Sequence, residues 1–169
     1  MNTSTICVYT DGSCLHNGSQ SAQGGWGVVL ENDVKQLILS GRDCPTTNQR
    51  MELKAIIEGL KSINTTDKEI HVFTDSTYAL TGCEKWRHDW KRFGWRSKST
   101  KKPVKNSDLW KELDALLEER EVCFHKVKGH SGHPQNELAD ALAVAASHGT
   151  VVRKYREVGD YGFSWDDES

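Results

Sequence analysis

No run of apolar residues approaches the ~18 needed to cross a bilayer as a helix, which excludes a helical membrane span. The first residues, Met1 to Thr5, lack the basic and apolar regions of an export signal, so a cytoplasmic protein is expected. No C-x-x-C pair occurs. The five cysteines, Cys7, Cys14, Cys44, Cys83 and Cys123, are odd in number, which argues against a disulfide framework and against a structural zinc site. Free thiols in a reducing compartment fit this usage. There is no internal repeat and no linker between domains. What remains is a chain of 169 residues, 36% hydrophobic and 27% charged, which suits one soluble domain with a real core. Residues 1–150 read as that domain, and 151–169 as a polar tail with an acidic end.

The net charge of −2 hides an asymmetry. Residues 85–105 hold nine Lys or Arg against the single acid Asp89, so this segment carries +8 and the remainder −10. Clustering of that kind bears on partners more than the overall charge does. It is also the usual composition of a solvated face. Trp86, Trp90 and Trp95 interrupt the charges. Trp90 and Trp95 are expected to pack a local core, and Trp86 to lie against a sugar of a nucleic acid, with the cations on phosphates.

Ile6 to Ser13 alternates like a half-buried strand and ends on Asp11-Gly12. A polar, Gly-rich loop follows. Gly24 to Glu31 and Val34 to Gly41 continue as two further strands of an antiparallel meander. Leu53, Ile56, Ile57, Leu60 and Ile63 then trace an amphipathic helix opened by Thr46-Thr47-Asn48-Gln49. Glu69 to Thr74 is a fourth strand, again followed by an aspartate, Asp75. Helices are expected over Tyr78–Cys83, Asp108–Arg120 and Pro134–Ser147, and a fifth strand over Val122–Val127. The order predicts an α/β fold with a mixed five-stranded sheet, order 3-2-1-4-5. Strands 1, 4 and 5 run parallel through right-handed crossovers and strands 1 to 3 are antiparallel.

With strands 1 and 4 side by side, Asp11 and Asp75 become neighbours at their carboxyl ends, where open α/β sheets bind ligands. Glu52, early in the first helix, and Asp140, on the last, can reach the same edge. Two bare charges ~4 Å apart cost on the order of 4 kcal/mol at an effective dielectric of 20. Oxygen-only clusters of this kind suit hard divalent ions, Mg²⁺ or Mn²⁺, and two such ions can stabilise both the attacking and the leaving oxygen of a phosphodiester. Spacing alone leaves a plainer reading open, in which these acids are scattered caps and turn residues and Glu52 complements a helix dipole.

Several segments, in order, carry a resemblance. Thr10-Asp11-Gly12-Ser13-Cys14-Leu15, Gly24-Gly25-Trp26-Gly27, Thr46 to Leu53, Thr74-Asp75-Ser76, Val127 to Pro134 and Asn136-Glu137-Leu138-Ala139-Asp140 resemble type 1 ribonuclease H of the bacterial form, as does the Trp-rich basic segment. The match runs from about Ile6 to Ser147. It implies a ribonuclease H-like fold and metal-dependent hydrolysis of the RNA strand of RNA–DNA hybrids, leaving 5′-phosphate and 3′-hydroxyl ends. It places metal-binding acids on Asp11, Glu52, Asp75 and Asp140, and a proton carrier or aid to product release on His130. It places RNA contacts on Cys14, Asn17, Asn48 and Gln49, and DNA contacts on Thr47 and Trp86. Arg92, Lys98 and Lys101 of the basic segment are the expected phosphate contacts. A monomer is expected. The chain departs from the family where His16-Asn17-Gly18-Ser19 replaces its usual G-N-P-G, where Gln49 replaces a second Asn, and where Thr77 replaces a common Gln. A hybrid-binding module without catalysis would tolerate loss of an acid, and all four are present. A DNA junction resolvase or transposase on the same fold would lack the basic segment combined with Asn48-Gln49.

Overall fold

A computed structural model describes residues 5–64, 68–128, 133–157 and 166–167. Strands β1 (Thr5–Leu15), β2 (Gln23–Glu31) and β3 (Lys35–Asp43) form the antiparallel meander. Helix α1 (Asn48–Lys61) leads to β4 (Glu69–Thr74), which lies parallel to β1. A continuous helical run follows: α2 (Thr77–Thr81), a π turn over Gly82–Trp86, and α3 (Arg87–Arg92). Helix α4 (Ser107–Glu118), β5 (Val122–Lys126, parallel to β4) and α5 (Pro134–Ser147) complete the expected order.

The sheet has the order β5-β4-β1-β2-β3-β6-β7, so it carries two strands more than the sequence predicts. Strand β6 (Arg153–Glu157) pairs antiparallel with β3 from Lys35↔Glu157 to Leu39↔Arg153, and the two-residue β7 (Asp166–Asp167) pairs with β6. The segment read as a tail therefore extends the sheet. Its sequence, Arg-Lys-Tyr-Arg-Glu, has no alternating apolar face, because a strand far out in the sheet is held by the backbone ladder and benefits from charged side chains.

The first side of the sheet packs α1 and α4 around Val8, Val28, Val72, Ile56, Ile57, Leu60 and the fully buried Trp110. The other packs α5 through Val29, Ile38, Ala139 and Leu142. Strand β2 is covered on both sides and reads accordingly as a nearly continuous apolar run. Thr47 caps α1: its Oγ1 accepts the Arg50 N–H at 3.1 Å. Trp90 and Trp95 pack against the main core as expected, and Trp90 meets Trp110 with ring centroids 5.2 Å apart.

Candidate active site

Four elements bring the acids together, and two glycines permit the approach. Register pairs Tyr9 of β1 with Phe73 of β4, so the next residues on the same face, Asp11 and Asp75, emerge side by side. A Cβ on Gly12 would stand 2.5 Å from the backbone N of Glu52 and 2.7 Å from the carbonyl carbon of Met51. Only a glycine lets the first turn of α1 press this closely on β1 and deliver Glu52 to Asp11. On the other side of the sheet, a Cβ on Gly27 would lie 2.3 Å from the carbonyl oxygen of Ala139 and 2.8 Å from the Ala143 N. That contact seats α5, and with it Asp140, against the same edge.

One carboxylate oxygen from each of Asp11, Glu52 and Asp75 lies within 4.8 Å of the others, so the structure brings three of the four candidate acids together. Asp140 reaches Asp11 by a side-chain hydrogen bond. Asp11 is 9% exposed and Glu52 6%. Burial, then the Asp75 charge, then the hydrogen bond with Asp140, push the Asp11 carboxyl up to about 7, against the counter-pull of the Gly12 N–H donated to its Oδ1 at 2.9 Å. Burial and the charges of Asp11 and Asp75 hold Glu52 well above the usual carboxylate range. Its Oε2 is buried with no hydrogen-bond partner among the described residues. A buried carboxylate oxygen without a donor, beside two further carboxylates, is the environment a hard divalent cation satisfies. The donor set, all oxygen, fits Mg²⁺ or Mn²⁺.

The remaining candidates divide. Cys14, Asn17, Thr47, Asn48 and Gln49 gather where β1 ends and α1 begins. Asn17 Oδ1 accepts the Asn48 N–H at 3.0 Å, which ties the altered loop to the helix start, and the Cys14 thiol faces the Thr46 carbonyl at 3.8 Å. Trp86 keeps 39% of its surface exposed, with its ring against Trp90 at 5.7 Å and Tyr78 at 6.0 Å. Arg92 pairs with the exposed Asp89, Lys98 stands over the Phe93 ring at 5.4 Å, and the Lys101 carbonyl accepts from Arg96. His130 lies outside the described residues.

The basic segment is less free than its +8 suggests. Arg87 and Lys91 both bind Asp114 and Glu118, at 2.8 to 3.1 Å, and fasten α3 to α4. In sequence they stand only as two of the nine cations of residues 85–105. Their acidic partners lie over 20 residues further along the chain, so no local signal marks them. Sequence reasoning also gave no role to Lys126, which pairs with Thr74 across β4–β5 and donates to the Thr77 hydroxyl, two residues beyond Asp75. A cation ending a strand beside the acids was the available signal.

The RNase H family model matches residues 3–148, the span that holds all four acids. The chain belongs to the RNase H family. It is 50% identical over 139 residues to ribonuclease HI of Neisseria meningitidis serogroup B, covering 82% of this chain and 92% of that one. It is 49% identical over 138 residues to ribonuclease H of Marinobacter nauticus, covering 82% and 90%. Among solved structures it is similar to LC9-RNase H1, a type 1 RNase H with the type 2 active-site motif, with a TM-score of 0.78 and 33% identity over 100% of this chain and 80% of that one. The chain is accordingly a bacterial type 1 RNase H, a hydrolase acting on nucleic acid, and the ribonuclease H-like fold expected from its motifs is the fold observed.

The acid cluster makes a stability prediction for this RNase H. A carboxyl raised from 3.8 to about 7 keeps its proton in the fold over a range where the unfolded chain has lost it. The contribution of this carboxyl to the stability of the metal-free protein is therefore fully present below about pH 4 and is lost as pH rises through 7. At about 1.4 kcal/mol per tenfold change in proton affinity, the loss is on the order of 4 kcal/mol. Thermal melts in a metal chelator should show a lower melting temperature at pH 8 than at pH 5, and Mg²⁺ should narrow the gap at pH 8. Identical melts with and without Mg²⁺ at pH 8 would contradict a cation site here.

Proposed function

We propose that this RNase H is an endoribonuclease that hydrolyses the RNA strand of RNA–DNA hybrids by a two-metal-ion mechanism and leaves 5′-phosphate and 3′-hydroxyl ends. The observation that carries the reading is the convergence of Asp11, Glu52 and Asp75 on one point, with a buried Glu52 oxygen that has no hydrogen-bond partner among the described residues. Asp11, Glu52, Asp75 and Asp140 would hold Mg²⁺ or Mn²⁺. When bound, the ions supply positive charge to the scissile phosphate and lower the pKa of the attacking water. The protein's own part is to hold four carboxylates against their repulsion on a rigid strand pair and two packed helices. The exposed end of α1, with Asn17, Thr47, Asn48 and Gln49, lies beside this cluster and suits contact with the two strands at the cut. His130 serves as proton carrier or aids product release.

The 2′-hydroxyl is what tells RNA from DNA at a given position. The test is cleavage of matched hybrid, double-stranded RNA and double-stranded DNA, each with and without Mg²⁺. Cutting confined to the hybrid with the ion present is the expected result, and 2′-deoxy substitution around the scissile bond should stop it. Equal cutting of the DNA duplex would favour a resolvase.

The basic segment should serve binding and leave the chemical step alone. Arg92, Lys98 and Lys101 keep solvent-facing charge on α3 and the following loop, while the Arg87 and Lys91 pairs hold that unit to α4. Each lost phosphate contact should lower the slope of log K against log salt by roughly 0.9. Steady-state kinetics of the triple Ala variant at several salt concentrations should show a raised KM, a flatter salt dependence and a nearly unchanged kcat. An unchanged KM and slope would make the segment a solvated face.

A further inference from the structure

A second set of ligating side chains lies on the same face of the sheet as the acids, further back along β4 and β5. Register aligns Cys7, His71 and Cys123 in one row, and Tyr9, Phe73 and His125 in the next. Helix α5 packs over β1, β2 and β3, and the His71 side chain remains 22% exposed. The rings form a stack: Tyr9 on Phe73 at 4.7 Å, Phe73 on His125 at 4.7 Å, and His125 on His71 at 5.0 Å. Three hydrogen-bonding groups run in a chain. Glu69 Oε1 lies 2.8 Å from His71 Nε2, and His71 Nδ1 lies 2.8 Å from His125 Nε2.

The chemistry of this chain is directional. An ionised carboxylate can only accept, so His71 carries a proton on Nε2 and, when neutral, presents a lone pair at Nδ1. That lone pair faces Nε2 of His125. A carboxylate on the far nitrogen of a ligating histidine is the usual outer support of a metal site, because it sets the tautomer and raises the basicity of the ligand. Metal–nitrogen bonds of about 2.1 Å at roughly 90–109° place two nitrogens about 3.0–3.4 Å apart. A few tenths of an ångström of opening, with a rotation of each ring by roughly 35–45° to turn its lone pair off the N···N line, would therefore admit an ion.

We propose that His71 Nδ1 and His125 Nε2 chelate a divalent transition ion of the nickel, zinc and copper class, with Glu69 as the outer support of His71. His125 ligates as the tautomer that carries its proton on Nδ1. That proton moves from Nε2 by way of solvent, both rings stay neutral, and water completes the coordination. Cys7 and Cys123 flank His71 in register on the same face. Imidazole suits these ions and not Mg²⁺, so the site is chemically separate from the all-oxygen cluster. It is also set back along the sheet: His71 precedes Asp75 by four residues and His125 is in register with Phe73, two residues before Asp75, so the two ligands lie roughly 13 and 7 Å back along the strands.

The experiment is isothermal titration of the untagged full chain with NiCl₂ in excess MgCl₂, which keeps the carboxylates occupied. One nickel ion per chain is expected, with micromolar affinity. Loss of the outer carboxylate of a ligating histidine costs about 10- to 100-fold in affinity. Glu69→Gln should therefore weaken nickel binding by about tenfold or more, and His71→Gln and His125→Gln by more still. A second measurement needs no variant. Substoichiometric Ni²⁺ should broaden the imidazole proton resonances of His71 and His125 in the wild-type protein before those of the other histidines. No nickel uptake in the presence of Mg²⁺, wild-type affinity in all three variants, or broadening centred on other residues would each overturn the proposal.

Discussion

Replacing Asp11 by Asn should abolish cleavage of the hybrid and, in the same protein, raise the melting temperature measured without metal. Both effects have one origin. Asp11 is the carboxylate that touches every other member of the cluster: Asp75 by charge, and Asp140 and Glu52 by hydrogen bond. A bound cation contributes several kcal/mol of charge stabilisation to such a reaction, and each 1.36 kcal/mol is tenfold, so turnover should fall by about three orders of magnitude. Without the ion, the same carboxylate is a liability. Its neutral isostere removes a buried charge that burial and Asp75 already oppose, and it still accepts the Gly12 N–H. The variant should melt above the wild type at pH 8 in chelator, lose most of the pH dependence expected of the metal-free protein, and gain little from Mg²⁺. Hybrid binding by the basic segment should survive. Near wild-type cleavage would remove Asp11 from the reaction centre, and an unchanged metal-free melt would show that the cluster stores no repulsion.

Gly27→Ala should damage both stability and turnover although it adds a single uncharged methyl, on the residue that pairs with Asp11 across β1 and β2. The new Cβ would fall 2.3 Å from the Ala139 carbonyl oxygen and 2.8 Å from the Ala143 N. These are backbone atoms of α5, so no rotamer change can relieve the clash and the helix must move off the sheet. Overpacking of this kind costs about 1–3 kcal/mol. Ala139 is the residue next to Asp140, so the displacement passes directly to the carboxylate that bonds Asp11. A misplacement of about 1 Å can cost 10²-fold in rate. Denaturant melts and single-turnover cleavage should therefore fall together, with kcat lost more than KM. Normal turnover in a destabilised variant would mean that Asp140 does not depend on the seating of α5.

Much of this molecule was open to a reading of local patterns. The alternation of Ile6 to Ser13 and of Glu69 to Thr74 marks β1 and β4, and in the structure Asp11 lies on β1 while Asp75 follows the end of β4. The apolar stripe from Leu53 to Leu60 marks α1, with Thr47 as the cap that starts it. Pro134 and Ser147 bound α5 as expected. Those periodicities are properties of neighbouring residues, and one chain suffices to see them. Strand β6 was not visible in this way, because Arg153 to Glu157 owes its place to the ladder with β3 rather than to a buried face.

The composition and local patterns of this chain settled which residues could be chemical: acids at strand ends, a basic segment with aromatics, motifs of one family in order. Tertiary structure alone decided how they are used. Glu52 sits where a helix-dipole acid would sit, and only the contact of α1 on Gly12 turns it into a buried carboxylate with an oxygen that no donor among the described residues satisfies. Arg87 and Lys91 look like their basic neighbours in sequence, and only the approach of α4 commits them to Asp114 and Glu118. His71 and His125 lie 54 residues apart and had no pattern at all until β4 and β5 paired in parallel register. The reason is the same in each case. A side chain's charge, solvation and partners depend on what is packed within a few ångströms of it, and those neighbours come from distant parts of the chain.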